Sequence, residues 1–193
     1  MLHIECLTAI QYFYHRYMLS RKTKYAINAL VYLARESNDG EPVQISRIAA
    51  SENIPRKFLE AILLDLRHAG MLNSRKGKTG GYYLQKTPEE INIADVMRLF
   101  DGPIALLPCV AYKYYEKCDE CIDEEACGIR SVFSDVRSET VKMLKKATLA
   151  EIIKRSAALK KNIVAQKKSL KGNSNMLKNV INKQKNTSAK KQK

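Results

Sequence analysis

From Tyr25 the apolar positions fall at Tyr25, Ala26, Ala29, Leu30, Leu33 and Ala34. This i, i+3, i+4 spacing predicts a helix with one face on a core. Ser20 stands just before the run, where its hydroxyl can accept from one of the amides a helix start leaves unpaired. Asn38-Asp39-Gly40 stops the pattern. Ile45, Ile48 and Ala49 predict a short second helix, and Asn53-Ile54-Pro55 a tight break, with Pro55 suited to the first turn of the next helix. That third helix carries Phe58, Leu59, Ile62, Leu63 and Leu66 on its apolar face and closes at His68-Ala69-Gly70, Gly70 being a natural C-terminal cap. The period then shortens: Met71–Ser74 and Tyr82–Gln85 read as two strands around a Gly- and Lys-rich turn, a hairpin. Thr87-Pro88-Glu89-Glu90 reads as a helix start, followed by Ile93, Val96, Met97 and Phe100 on one face and a stop at Asp101-Gly102-Pro103.

Short helix, tight turn, longer helix and basic-tipped hairpin is the plan of a winged helix-turn-helix. The predicted fold is therefore mainly α, with a small β-hairpin wing and a long C-terminal helix. Residues 1–17 form a leader outside the pattern, which begins at Met18-Leu19-Ser20; a start assigned too far upstream or a real N-terminal helix would each account for the leader. Residues 18–102 make the winged helix-turn-helix, 103–127 a cysteine loop, 128–153 the long helix and 154–193 a basic tail. On the long helix Ile129, Val132, Phe133, Val136, Val141, Leu144, Ala147 and Ile152 recur near helical spacing. One isolated helix cannot bury such a stripe, so packing against a second copy is expected, making this a dimerisation helix and the protein a homodimer.

Charge changes the picture less than its total suggests. The 193 residues carry a net +14, but beyond Glu151 there are thirteen lysines and arginines and no acid, which leaves +1 for the first 151 residues. A tail of Lys, Asn, Gln and Ser with sparse apolar residues is expected to stay disordered. It would add sequence-independent DNA affinity by counterion release, or serve solubility alone. No apolar run approaches the roughly 18 residues of a membrane span. The leader lacks the basic start and small-residue cleavage site of a secretory signal, so a cytoplasmic protein with no membrane partner is expected.

The globular part makes its own case for nucleic acid. Arg56 and Lys57 open the third helix, beside the dipole-positive end that enters a major groove. Arg75, Lys76 and Lys78 crowd the hairpin turn, whose glycines allow close approach to a minor groove. The competing reading is a zinc-stabilised, protein-binding helical adaptor with solvated surface charges; the order of elements favours DNA. An enzyme is disfavoured. His3, His15 and His68 are scattered, no paired carboxylates share a plausible cleft, and Gly77–Gly81 resembles a phosphate loop without the helix that must follow it.

Four of the five cysteines stand as Cys109-x8-Cys118-x2-Cys121-x5-Cys127. Cys118 and Cys121 form the C-x-x-C spacing that lets two thiolates face one ion, and the other two complete four ligands. An iron–sulfur cluster, a structural zinc and a metal-free dithiol switch at Cys118 and Cys121 all stand open on spacing alone. Glu116, Asp119, Glu120, Asp123, Glu124 and Glu125 make the loop acidic. Negative charge beside a cluster lowers its potential; beside nothing, it keeps a loop solvated. Cys6, in the leader, receives no role.

Several motifs together resemble one family. These are the Lys-x-x-Tyr-Ala of the opening helix, the Ile-Ala of the second, Phe-Leu-Glu in the third, its Leu-Arg-x-Ala-Gly close, and the Gly-Gly-Tyr-x-Leu strand. They are similar to the bacterial repressors that include the iron–sulfur cluster regulator, the nitric-oxide-sensing repressor and a cysteine-metabolism repressor. The resemblance covers about residues 18–151. It implies a DNA-binding homodimer on a palindromic operator. Lys57 and Glu60 occupy base-reading places, Lys76 stands where an Arg commonly enters the minor groove, and Ser20, Lys22 and Tyr25 are placed for phosphate. Gly80, Gly81 and Tyr82 complete the wing. The resemblance also favours the iron–sulfur cluster, with Cys109, Cys121 and Cys127 as ligands. The family's fourth ligand, a His after the last cysteine or an acid from the partner's first helix, has no counterpart in Gly128-Ile129-Arg130 or Lys24-Tyr25. Cys118 is the available substitute.

Overall fold

A computed structural model describes residues 19–36, 40–77, 79–119, 121–163 and 166. The expected leader, Lys78, Glu120 and most of the basic tail lie outside them. Ser20 caps the first helix, α1 (Arg21–Glu36): its hydroxyl accepts from the Thr23 amide at 3.1 Å. Ala26, Ala29, Leu30 and Leu33 are wholly buried along one face, as the spacing predicts. Then follow α2 (Ile45–Glu52) and α3 (Arg56–His68). Between them Asn53 takes the left-handed backbone at φ 51°, a conformation Asn tolerates better than most residues.

α3 ends in a double-bonded cap. Gly70 sits at φ 69°, its amide donating to Arg67 O at 3.0 Å while that of Met71 donates to Leu66 O at 3.0 Å. This Schellman arrangement needs a residue free of Cβ strain at position 70, and Met71 is thereby buried beside Leu66 in the core. Strands β1 (Leu72–Arg75) and β2 (Gly81–Leu84) pair antiparallel, with Leu72 opposite Leu84 and Arg75 opposite Gly81. A further bridge was not foreseen: Val43 and Tyr82 exchange both backbone bonds, at 2.8 and 2.9 Å. The segment before α2 thus anchors the root of the wing.

α4 (Ile93–Phe100) starts later than the sequence suggests. Thr87-Pro88-Glu89-Glu90 is a turn closed by the Thr87 amide donating to Glu90 Oε2 at 2.8 Å. The cap proper is Asn92, whose Oδ1 accepts from the Asp95 amide at 3.0 Å. After a 3₁₀ turn at Pro108–Val110 and the cysteine loop comes α5 (Gly128–Lys146).

The expected single helix over 128–153 is broken. Ala147 and Thr148 leave helical geometry, Thr148 bridges to Asn92, and helix resumes at residue 149. The break is built from long-range bonds, Ile93 N to Ala147 O and Leu149 N to Ile91 O, both 3.0 Å. It places Leu149 with no exposure in the core, beside Ile91 and Val96. Thr148 Oγ1 then caps the restart by accepting from the Glu151 amide at 3.3 Å.

The chain divides into two units at Ile152–Ile153. The first is a winged helix-turn-helix with its core between α1, α2, α3, β1 and α4. In the second, residues 153–163 are helical, although the sequence read everything from 154 as irregular. No helix among the described residues is long and apolar enough to cross a membrane.

Candidate nucleic-acid interface and cysteine loop

α3 presents two faces. Leu59, Ile62, Leu63 and Leu66 are buried, while Arg56, Lys57 and Glu60 stand exposed at its start. Arg56 Nε lies 3.4 Å from Glu60 Oε1, an exposed i, i+4 pair worth only a few tenths of a kcal/mol, so both side chains yield readily to a stronger partner. Phe58, predicted as core, is instead 42% exposed. It packs edge to face on Tyr25, ring centroids 5.8 Å apart. Tyr25 is therefore a packing partner of the α3 start.

The other first-helix candidates are also engaged inside the fold. Lys22 Nζ bonds Asp65 Oδ2 at 2.8 Å and lies 5.0 Å from the centre of the Phe100 ring, so it ties α1 to α3 and α4. Ser20 is spent on capping. Arg75 and Lys76 are exposed at the wing tip. Gly80 and Gly81 serve its closure: a Cβ at Gly80 would stand 2.3 Å from Arg75 O, and one at Gly81 2.3 Å from Val43 O. Tyr82 supplies the backbone that bonds Val43.

The cysteine loop returns to the start of α5. Cys127 is the N-cap, its sulfur accepting from the Arg130 amide at 3.5 Å. Arg130 Nε donates to Cys109 O at 3.3 Å and its Nη1 to Glu124 O at 3.4 Å. One residue thus joins the first cysteine, the middle of the loop and the last cysteine. The sequence reading missed it, though an Arg three positions after a capping cysteine was visible. Tyr115 donates its hydroxyl to Glu124, which raises the phenol above its ordinary range.

Cys109 is buried, Cys121 and Cys127 are half-buried and Cys118 is exposed. Cys121 Sγ donates to Asp123 O at 3.3 Å, and the Cys121 and Cys127 thiols are unequal. Burial, then the neighbouring Cys127 thiol and nearby negative charge, push Cys121 up. The Arg130 amide, then the Cys121 thiol, hold Cys127 down. Of the neighbouring thiols, Cys127 bears on Cys121 more than Cys118 does. Cys118 joins Cys121 through the backbone, the Cys121 amide donating to Cys118 O at 3.1 Å.

A cleft of about 530 Å³ opens here, lined by Cys109, Cys127, Tyr112, Tyr115, Arg130 and Arg137 among others. Among the described residues no three His, Cys, Asp or Glu side chains are gathered closely enough to hold a metal ion. The donor chemistry nevertheless fits a thiolate-held group: Cys109 and Cys127 line one cleft, and soft sulfur donors suit iron or zinc.

Residues 19–155 match the sequence profile of the Rrf2 family, described as iron-dependent transcriptional regulators. The chain is 43% identical over 138 residues to an rrf2-like HTH-type transcriptional regulator of Rhodobacter capsulatus, covering 70% of this chain and 92% of that protein. It is 31% identical over 135 residues to the HTH-type transcriptional regulator NsrR of Bacillus licheniformis, covering 70% and 91%. Among solved structures it is similar to CymR, the global cysteine regulator of B. subtilis, with a TM-score of 0.57 and 27% identity over 70% of this chain and 95% of that one. The IscR of T. potens gives a TM-score of 0.55 and 27% identity over 72% and 88%.

Proposed function

The chain belongs to the Rrf2 family of transcriptional regulators, a family of regulators and not of enzymes, and on that premise we propose that it is a redox- or nitric-oxide-responsive DNA-binding homodimer. Lys57 and Glu60 read bases in the major groove, Glu60 accepting from a cytosine amino group once it leaves Arg56. Arg75, Lys76 and Lys78 hold the wing against the backbone and minor groove. Lys76 lacks the planar fork of an Arg, so it senses groove width less sharply. Packing of the exposed Ile129, Val132, Val136 and Met143 on α5 against a second copy would set two copies of α3 about one DNA turn apart, on a palindromic operator.

Cys109, Cys121 and Cys127, with Cys118 as fourth, would hold an iron–sulfur cluster. When bound, such a group supplies a tie between sulfurs that oxidants and nitric oxide break. The observation carrying this reading is that Cys127 is at once a candidate ligand and the cap of α5. A change at its sulfur reaches the first turn of the helix proposed to join the two copies. Arg130 extends that reach to Cys109 and Glu124.

A metal-free thiol switch is favoured by a different observation: the Arg130 amide at the sulfur of Cys127 holds that thiol down, while Cys121 is pushed up. One experiment separates the two. The protein is purified anaerobically, its visible absorption, iron, sulfide and zinc are measured, and it is then used to select sequences from a random duplex pool. Brown protein with iron and sulfide, enriching a palindrome that it releases on bleaching, is expected. Colourless protein that still enriches a palindrome leaves the cysteines as a thiol switch or a structural zinc site. Binding indifferent to loading removes the sensing role. Lys57→Ala should relax the selected sequence at one position; an equal loss on every sequence would reduce Lys57 to a phosphate contact.

A further inference from the structure

The exposed face of α3 carries two kinds of chemistry. Lys57, Glu60, Ala61 and Leu64 stand at i, i+3, i+4 and i+7 and are all exposed, directly opposite the buried set Leu59, Ile62, Leu63 and Leu66 at the same spacing. The flanks of this face are occupied within the fold. Phe58 lies on Tyr25, Asp65 holds Lys22, and Arg67 Nη1 donates to Ser74 Oγ at 3.2 Å. What faces outward is a polar first half and an apolar second half. Leu64 is 40% exposed, with Ala61 one turn before it.

A helix that read only phosphates and polar base edges would place polar side chains at positions 61 and 64. We propose that Ala61 and Leu64 read thymine, packing on its C5-methyl group, the apolar feature that base pairs present in the major groove. The inference rests on α3 being the reading helix, as proposed above, and adds what its apolar half recognises. Leu64 lies seven residues beyond Lys57, about 10 Å along the axis at 1.5 Å per residue. That distance spans about three base steps of 3.4 Å. The recognised half-site therefore holds a guanine or cytosine under Lys57 and Glu60, and one or two thymines within about three base pairs of it.

Deoxyuridine tests this directly, because it removes the methyl group and keeps the base-pair hydrogen bonds. A sequence is first selected from a random duplex pool, and each thymine of one half-site is then replaced singly. The full-length protein should lose about fourfold in affinity at one or two of these positions, the value of burying a single methyl. Leu64→Ser should become indifferent to uridine at one of them, while Leu64→Met stays sensitive. Unchanged affinity at every uridine overturns the inference, as does a uridine penalty that Leu64→Ser leaves intact at every sensitive position. A pool that enriches no sequence overturns the reading of α3 itself, and this inference with it.

Discussion

The backbone N–H of Arg130 points at the sulfur of Cys127 from 3.5 Å, at the first turn of α5. The guanidinium of the same residue holds the carbonyls of Cys109 and Glu124. Arg130 thus ties helix to loop, beside the Arg137 guanidinium that lies 4.0 Å from the centre of the Tyr112 ring. Arg130→Ala keeps the amide and loses both carbonyl contacts. It should leave the melting temperature nearly unchanged, because the core lies elsewhere, yet speed backbone hydrogen exchange over residues 109–111 and 124–127. Unaltered exchange there would remove Arg130 from any positioning role.

The wing separates structural from contact residues. A methyl group at Gly81 meets the Val43 carbonyl oxygen at 2.3 Å and its carbon at 2.5 Å, and both of these are backbone atoms with little room to yield. Gly81→Ala should cost about 2 kcal/mol or more, by the overpacking that such a clash forces. Lys76 is exposed at the wing tip, so Lys76→Ala should keep full stability while weakening DNA binding and flattening its salt dependence. Thermal unfolding beside a salt titration of binding checks both; equal melting temperatures for the two variants would count against the strand bridge.

Along α5 no residue is buried, and Ile129, Val132 and Met143 are each at least 60% exposed. A charge in that stripe should leave the monomer fold alone and prevent self-association. Val136→Glu is expected to run as a monomer in analytical ultracentrifugation, and to lose binding to a palindrome more than to a half-site. A dimer that survives the substitution places the interface elsewhere.

Glu90 sets a small acid dependence. The Thr87 amide, followed by the Thr87 hydroxyl, holds its carboxyl below the ordinary 4.5. A pKa lowered by folding contributes stability above the unfolded value and loses it as pH falls through the folded one. Glu90→Gln keeps an acceptor for the amide but not its charge, so it should melt slightly below the parent at neutral pH, with the gap closing as pH falls below about 4.5. Parallel curves would show that the turn at residues 87–90 does not titrate.

Much of this protein was legible locally. The apolar period of α1 and α3, the Ser20 cap, the Gly70 stop and the hairpin all follow from residues within one or two turns of each other. Those signals fix the type and order of elements because helix period and caps are short-range physics. Where a distant segment intervened, sequence reasoning went astray or stayed silent. Val43 joins the wing because Tyr82, far along the chain, offers its backbone. The helix expected through 128–153 breaks at Ala147-Thr148 because Ile91 and Ile93 supply competing backbone bonds and the core takes in Leu149. Phe58 turns outward to meet Tyr25. In the cysteine loop, spacing paired Cys118 with Cys121; folding makes Cys127 the cap of α5 and turns the Cys121 sulfur to Asp123 O. A sequence determines which residues can pair; the burial and hydrogen bonds of the tertiary structure decide which of them do.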